Sequence, residues 1–152
     1  MYNMKKFLFP VFIFLSFSAF CQSSKQVKWT YTAKKIKDKT YEVHFTASIN
    51  NNWHLYSQSA GDGPLSTEFT FTKNPLITLN GKTKETGKMK KMWEEAFKSE
   101  VRYYENSVDF VQTVNLKGNA KTNLAGKVEF MVCNDHECLP PSEVDFSVKV
   151  GG

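Results

Sequence analysis

From Val27 onward apolar and polar positions alternate with a period of two, which places every second side chain on one face of an extended strand. Trp29, Tyr31 and Ala33 alternate with polar neighbours. After Lys37-Asp38-Lys39 the same holds for Tyr41, Val43, Phe45, Ala47 and Ile49, so the two runs predict a hairpin. Shorter runs follow at Phe69/Phe71, Leu76 to Leu79, Val101 to Tyr104, Val108 to Leu116, Val128/Phe130/Val132 and Val144/Phe146/Val148/Val150. Asn50-Asn51-Asn52, Gly61-Asp62-Gly63-Pro64, Asn80-Gly81, Gly118-Asn119 and Pro140-Pro141 separate them, supplying left-handed backbone or a fixed φ where the chain reverses. Short strands in this number and at this spacing predict an all-β, immunoglobulin-like β-sandwich.

One segment departs from the alternation. Between Gly87 and Ser99 the apolar residues Met89, Met92, Trp93, Ala96 and Phe97 recur at three- and four-residue spacing, while Lys90, Lys91, Glu94, Glu95 and Lys98 fill the other positions. That pattern predicts a short helix or a lid near residues 88–98, serving either as a connector that closes one end of the sandwich or as the cover of a site.

The beginning of the chain changes the composition to be explained. Lys5 and Lys6 precede an apolar run from Phe7 to Phe20, 14 residues long. It is too short to span a bilayer, and Ala19-Phe20-Cys21 puts small residues at 19 and 21, so 1–21 reads as a secretory signal cleaved after Cys21. The bulky Phe20 argues against Cys21 as a lipidated first residue. Residues 22–152 then form one exported domain, 131 residues, enough for one core and too few for two. The signal removes two lysines and no acid, so the chain's net charge of +5 becomes 18 basic against 15 acidic residues, or +3. So mild a balance gives no support to a nucleic-acid partner, and the mature chain is expected to contain no membrane span.

Two cysteines remain, the usual arithmetic of one disulfide in an oxidising compartment. They lie five apart in Val132-Cys133-Asn134-Asp135-His136-Glu137-Cys138-Leu139-Pro140-Pro141, across a polar turn whose flanking strands can bring the two Cα atoms within bonding range. If Val128, Phe130 and Val132 face the core, Cys133 faces the other way, near solvent unless a bulge or lid intervenes. Three readings stand side by side: a structural disulfide, a redox-exchanging pair, and a metal site in which Cys133 and Cys138 are joined by His136 and possibly His54. Closing so small a loop contributes only ~2 kcal/mol by the chain-entropy estimate, a weak reason to keep a staple. The absence of a second ligand cluster weakens the metal reading. Asp135 and Glu137 disfavour a thiolate beside them, which suits a disulfide that is attacked by an incoming thiolate rather than a pair that attacks.

Other chemistry finds little footing. His44 sits within an alternating strand as a surface histidine. No nucleophile elbow or phosphate-binding Gly-rich loop is present, and no cofactor is predicted. Trp53, Tyr56, Trp93, Tyr103 and Tyr104 read as core packing.

The motifs taken together resemble the amino-terminal periplasmic domain of the thiol:disulfide interchange protein DsbD. The residues that carry the resemblance are Val128-Glu129-Phe130-Met131-Val132 leading into Cys133 to Pro141, Val144-Asp145-Phe146 after it, Trp53-His54-Leu55-Tyr56 continuing to Gly63-Pro64-Leu65-Ser66-Thr67-Glu68-Phe69, and Glu94-Glu95-Ala96-Phe97-Lys98-Ser99-Glu100-Val101. The likeness covers nearly all of residues 27–150. It implies an immunoglobulin-like domain whose cysteine pair takes electrons from a thioredoxin-like protein or domain and passes them to disulfide-containing acceptor proteins of the periplasm. An aromatic cap loop would shield the pair between partners. By the same resemblance Cys133 and Cys138 are the redox pair, Phe97 or Trp93 the cap aromatic, Glu94 and Glu95 the cap acids, and Tyr56 an aromatic beside the site. The intercysteine loop is one residue shorter than in the best-studied members, and His54 stands where an aromatic is common. DsbD-type proteins continue into a membrane domain and a thioredoxin-like domain, so with the chain ending at Gly152 the electrons are expected from a separate protein. The rival expectation is a non-catalytic immunoglobulin-like binding module that keeps the disulfide for structure.

Overall fold

The computed structural model describes residues 23–152, so the predicted signal peptide and Cys21 lie outside the described residues. A four-residue helical turn, α1 (Ser23–Gln26), leads into β1 (Val27–Lys37), β2 (Thr40–Ile49), β3 (His54–Tyr56), β4 (Glu68–Phe71), β5 (Ile77–Gly87), β6 (Lys90–Glu94), β7 (Ser99–Tyr104), β8 (Ser107–Leu116), β9 (Thr122–Phe130), β10 (Val132–Cys133) and β11 (Ser142–Val150). They form a four-stranded sheet β1-β2-β8-β5, a three-stranded sheet β11-β9-β4, and a further sheet β10-β3-β7-β6, with every pairing antiparallel.

The first two sheets make the sandwich. Pairing sets Tyr31 opposite Phe45 and Phe45 opposite Phe110, so the inward residues of β1, β2 and β8 stand in rows. They meet Phe69, Phe71, Leu124, Val128, Phe130, Phe146 and Val148 from the facing sheet in one hydrophobic core. Its centre is aromatic: the Phe45 ring lies 4.7 Å from Phe146 and 5.0 Å from Phe69, in the tilted and edge-on arrangements that ring quadrupoles favour. Gly126 is required where β9 pairs with β4 opposite Phe71, because a Cβ there would meet the Thr70 carbonyl oxygen and the Phe146 ring.

The turns follow the expected chemistry, with one correction. Lys39, Asn52 and Asn106 take positive φ at reversals, but Asn80-Gly81 does not reverse the chain. It lies inside β5, where the register against β8 shifts between Asn80 and Lys84 and Gly81 adopts φ +72°. Gln112, buried on β8, satisfies this irregularity: its side-chain nitrogen donates to the Thr113 and Gly81 carbonyls, and its oxygen accepts from the Thr83 hydroxyl.

A second correction concerns residues 88–98. The segment is a β-hairpin rather than a helix. β6 and β7 pair from Lys90↔Tyr103 to Glu94↔Ser99, and the connection closes with the Phe97 amide donating to the Glu94 carbonyl while Lys98 takes a left-handed φ of 52°.

Candidate redox site

The third sheet holds the cysteines at one end of the sandwich. Alternation runs unbroken through the change of sheet: Phe130 and Val132 enter the sandwich core, while Met131 and Cys133 turn to a second cluster built from Tyr56, Ala60, Val101 and Tyr103, with Met92, Phe97 and Cys138 packed against it. β3 is divided in the same way, Leu55 serving the first core and Tyr56 the second. Cys133 therefore does face away from the main core, yet it is 1% exposed, because the β6–β7 hairpin and the β3 side chains cover it.

Cys133 and Cys138 are joined by a disulfide across an antiparallel bridge. The Asn134 amide donates to Glu137 O and the Leu139 amide to Val132 O, one bond on each side of the pair, so the cysteines occupy a non-hydrogen-bonded position, where paired Cα atoms come closest. Their Cα separation is 4.0 Å, just below the ~4.4 Å lower edge of the usual disulfide range. The connecting turn is fixed by Asn134, whose Oδ1 accepts from the amides of His136 and Glu137, both at 2.8 Å. Asp135, His136 and Glu137 project into solvent.

The two sulfurs have different surroundings. Cys133 is sealed, and the buried Tyr56 hydroxyl donates to its Sγ at 3.1 Å. Cys138 is only half-buried. Phe97 packs edge-on to Tyr56 with ring centroids 6.2 Å apart, and Gly63 passes so close to it that a Cβ would lie 2.6 Å from that of Phe97. Gly63 also has φ +107°, a conformation that other residues rarely adopt. The loop carrying it is tied to β7: Arg102 N donates to Ala60 O, Arg102 Nη1 to Ser59 O, and the Ser99 hydroxyl to Asp62 O.

Behind Tyr56 stands His54, 5% exposed, with Nε2 3.4 Å from the Tyr56 oxygen and 4.0 Å from Glu94 Oε2. Burial pulls the His54 imidazole below its ordinary pKa, with the Glu105 and Asp135 carboxylates opposing that fall. Burial, aided by Glu94, pushes the Tyr56 phenol well above its usual value, so it remains a protonated donor. Tyr103, its ring 4.8 Å from that of His54, is raised for the same first reason and by Glu105.

Of the residues singled out in the sequence, Cys133, Cys138, Tyr56, His54, Glu94 and Phe97 come together. Trp93 and Glu95 do not. Strand alternation in β6 turns Met92 and Glu94 inward and Trp93 outward, where it is 61% exposed and its Nε1 donates to Glu95 Oε1. The aromatic of this hairpin that packs against the cluster holding Cys133 is Phe97, and Met92 packs there too. The metal alternative finds no ligand set: among the described residues no group of three or more His, Cys, Asp and Glu is placed to hold an ion. His44, read as a surface residue, is half-buried and bonded to Asp109 at 2.7 Å. Sequence reasoning overlooked Met92, Val101 and Gly63 as site residues, and also Glu85, which accepts from the Ser57 and Tyr104 hydroxyls and from the Gln58 amide at the back of the third sheet. Parity along β6 and β7 would have found Met92 and Val101; nothing local marks Glu85.

An antiparallel sandwich with a disulfide packed against a side hairpin defines a class: immunoglobulin-like domains that carry a cysteine pair in a small third sheet. The chain belongs to one family within it, the N-terminal domain of the thiol:disulfide interchange protein DsbD, whose model matches residues 21–149. Among solved structures it is similar to the N-terminal periplasmic domain of ScsB from Proteus mirabilis, with TM-score 0.61, 15% identity, and coverage of 86% of this chain and 48% of that one. It thus spans about half the length of that relative. It is also similar to the Neisseria meningitidis DsbD N-terminal domain in the reduced form, with TM-score 0.59, 14% identity, and coverage of 87% and 91%. At such identities the structural likeness speaks for the fold. No curated protein matches the chain in sequence. No helix among the described residues is long and apolar enough to cross a membrane.

Proposed function

We propose that the domain performs thiol–disulfide exchange in the periplasm, after export by the 1–21 leader, taking electrons from a thioredoxin-like protein or domain and passing them to disulfide-containing acceptor proteins. The observation that carries this reading is the asymmetry of the pair: one sulfur sealed and hydrogen-bonded by Tyr56, the other half-buried against the same cluster on which Phe97 packs. A donor thiolate attacks Cys138 Sγ, the sulfur it can reach once the hairpin lifts, and a mixed disulfide forms. The electron pair of the broken S–S bond leaves on Cys133 Sγ, where the Tyr56 hydroxyl stabilises the developing thiolate. The donor's second thiolate then resolves the mixed disulfide, so the donor is oxidised and Cys133/Cys138 reduced. Glu94, Asp135 and Glu137 surround the pair with negative charge, which keeps resting thiols protonated and slow towards stray oxidants. Phe97 with Met92, rather than Trp93 and Glu95, forms the cover in this scheme. Electrons pass between sulfurs throughout, so no cofactor is assigned.

A thioredoxin-like donor whose resolving cysteine is replaced by serine tests the scheme. Cys133→Ser, its Cys138 first activated as a mixed disulfide with thionitrobenzoate, should form a stable adduct with this donor as thionitrobenzoate leaves, and Cys138→Ser, activated in the same way at Cys133, should form little. Wild-type protein should also accumulate bound to the Ser donor. Equal adduct formation by both cysteine variants, together with a disulfide potential below about −300 mV as in inert bridges, would instead establish the binding-module reading.

A further inference from the structure

The scheme above leaves a proton unaccounted for. Cys133 becomes a thiolate in a place sealed from water, yet the reduced domain must hold it as a thiol. Two observations bear on where that proton comes from. The Tyr56 hydroxyl lies 3.1 Å from Cys133 Sγ, and His54 Nε2 lies 3.4 Å from that same hydroxyl oxygen, so the three residues stand in line. His54 in turn lines a cleft of about 500 Å³ formed with Asn50, Asn52, Trp53, Glu105 and Asp135, whereas Cys133 does not.

We infer that His54 and Tyr56 form a proton relay from this cleft to Cys133, with Tyr56 the catalytic donor and His54 the positioning residue that directs and refills it. The inference rests on the exchange reading given above. The step balances as follows. The incoming thiolate bonds to Cys138 Sγ, and the S–S electron pair leaves on Cys133 Sγ. That sulfur takes the Tyr56 hydroxyl proton, Tyr56 takes the Nε2 proton of His54, and His54 regains a proton from water in the cleft. When His54 is neutral with a bare Nε2, that nitrogen competes with the sulfur for the Tyr56 hydrogen. Once His54 is protonated, Nε2 is a donor and the Tyr56 hydrogen is committed to Cys133.

The charged and titratable groups facing His54 are Tyr56 from its own strand, Glu94 from β6, Tyr103 from β7, Glu105 just after β7, itself paired with Lys90, and Asp135 from the intercysteine turn. Glu94 is placed to steady the imidazolium. Burial holds the titration of the ring below its ordinary range, on the acid side of neutrality.

The test is the second-order rate of disulfide reduction by dithiothreitol between pH 5 and 8, expressed per thiolate of the reductant, for wild type, Tyr56→Phe, His54→Gln and His54→Phe. A hydrogen bond to a developing charge is worth about tenfold to a hundredfold in rate, so Tyr56→Phe should slow reduction by about that factor at every pH. Wild type should show a per-thiolate rate that rises as pH falls through the His54 titration. His54→Gln and His54→Phe should lose that rise, their per-thiolate rates staying flat from pH 5 to 8; His54→Phe keeps a ring against Tyr103 should the glutamine variant fold poorly. A wild-type pH profile retained in either folded His54 variant, or an unchanged rate in Tyr56→Phe, overturns the relay and leaves the exchange reading intact. A wild-type disulfide that dithiothreitol cannot reduce at any pH overturns the exchange reading itself.

Discussion

Phe97 and Trp93 sit four residues apart on one hairpin with opposite surroundings, and the difference yields a prediction. Half-burial of the Phe97 ring contributes roughly 1 kcal/mol to keeping the hairpin closed, so Phe97→Ala should speed reduction of the disulfide by a small thiol about fivefold to tenfold. Trp93→Ala removes a ring that is mostly in solvent and should leave the rate unchanged. Stopped-flow reduction of the two variants decides the matter, and equal acceleration by both would deny Phe97 its place as the cover. The residue pattern was partly legible. In Trp53-His54-Leu55-Tyr56 the period of two already puts His54 and Tyr56 on one face and Leu55 on the other, as found. That Tyr56 would reach Cys133 across 77 positions of sequence, with His54 behind it, depends on a strand pairing that no local pattern encodes.

At the scale of elements, the long strands declared themselves and the short ones did not. β1, β2, β8 and β11 carry four or more alternations each, enough for period two to be unmistakable. β3 has three residues and β10 two, too few to stand out as strands, so although the run Val101 to Tyr104 is predicted, nothing local shows that it pairs with β3 and β6 to frame the site. The hairpin at 90–104 was misread for a different reason: its two arms and turn spaced Met89, Met92, Trp93, Ala96 and Phe97 as a helix would, and the left-handed Lys98 that closes the turn carries no glycine to announce it. Glu85 belongs to this scale because it fastens β5 to the loop after β3 and to β7. Leaving the Tyr104 hydroxyl, the Ser57 hydroxyl and the Gln58 amide without their acceptor, Glu85→Ala should cost about 1–3 kcal/mol in denaturant unfolding with the core otherwise intact. A change within a few tenths of a kcal/mol would mean that water replaces the carboxylate.

For the molecule as a whole, one buried base sets a pH dependence. The folded-state pKa of His54 lies below the unfolded value of 6.5, so below that value the unfolded chain binds a proton that the folded chain resists. Stability should be complete above about pH 6.5 and fall as pH drops towards the folded pKa, by at most ~1.4 kcal/mol per pH unit from this group. Urea midpoints of wild type and His54→Phe between pH 5 and 8 should therefore diverge on the acid side, with the variant relatively more stable there; parallel curves would remove His54 as the cause. The whole architecture also bears on how copies of the chain meet. β6 is the outermost strand of its sheet and pairs on one side only, so its other backbone edge is an open template for strand addition. A cover that must lift to admit a partner would offer that edge repeatedly. Lys88 and the exposed ion pairs Lys90–Glu105 and Lys91–Glu100 flank this edge with hydrated charge, which a second molecule would have to strip of water before any ladder formed. Under the proposed exchange, that charged flank would let the hairpin lift without offering a clean edge for aggregation.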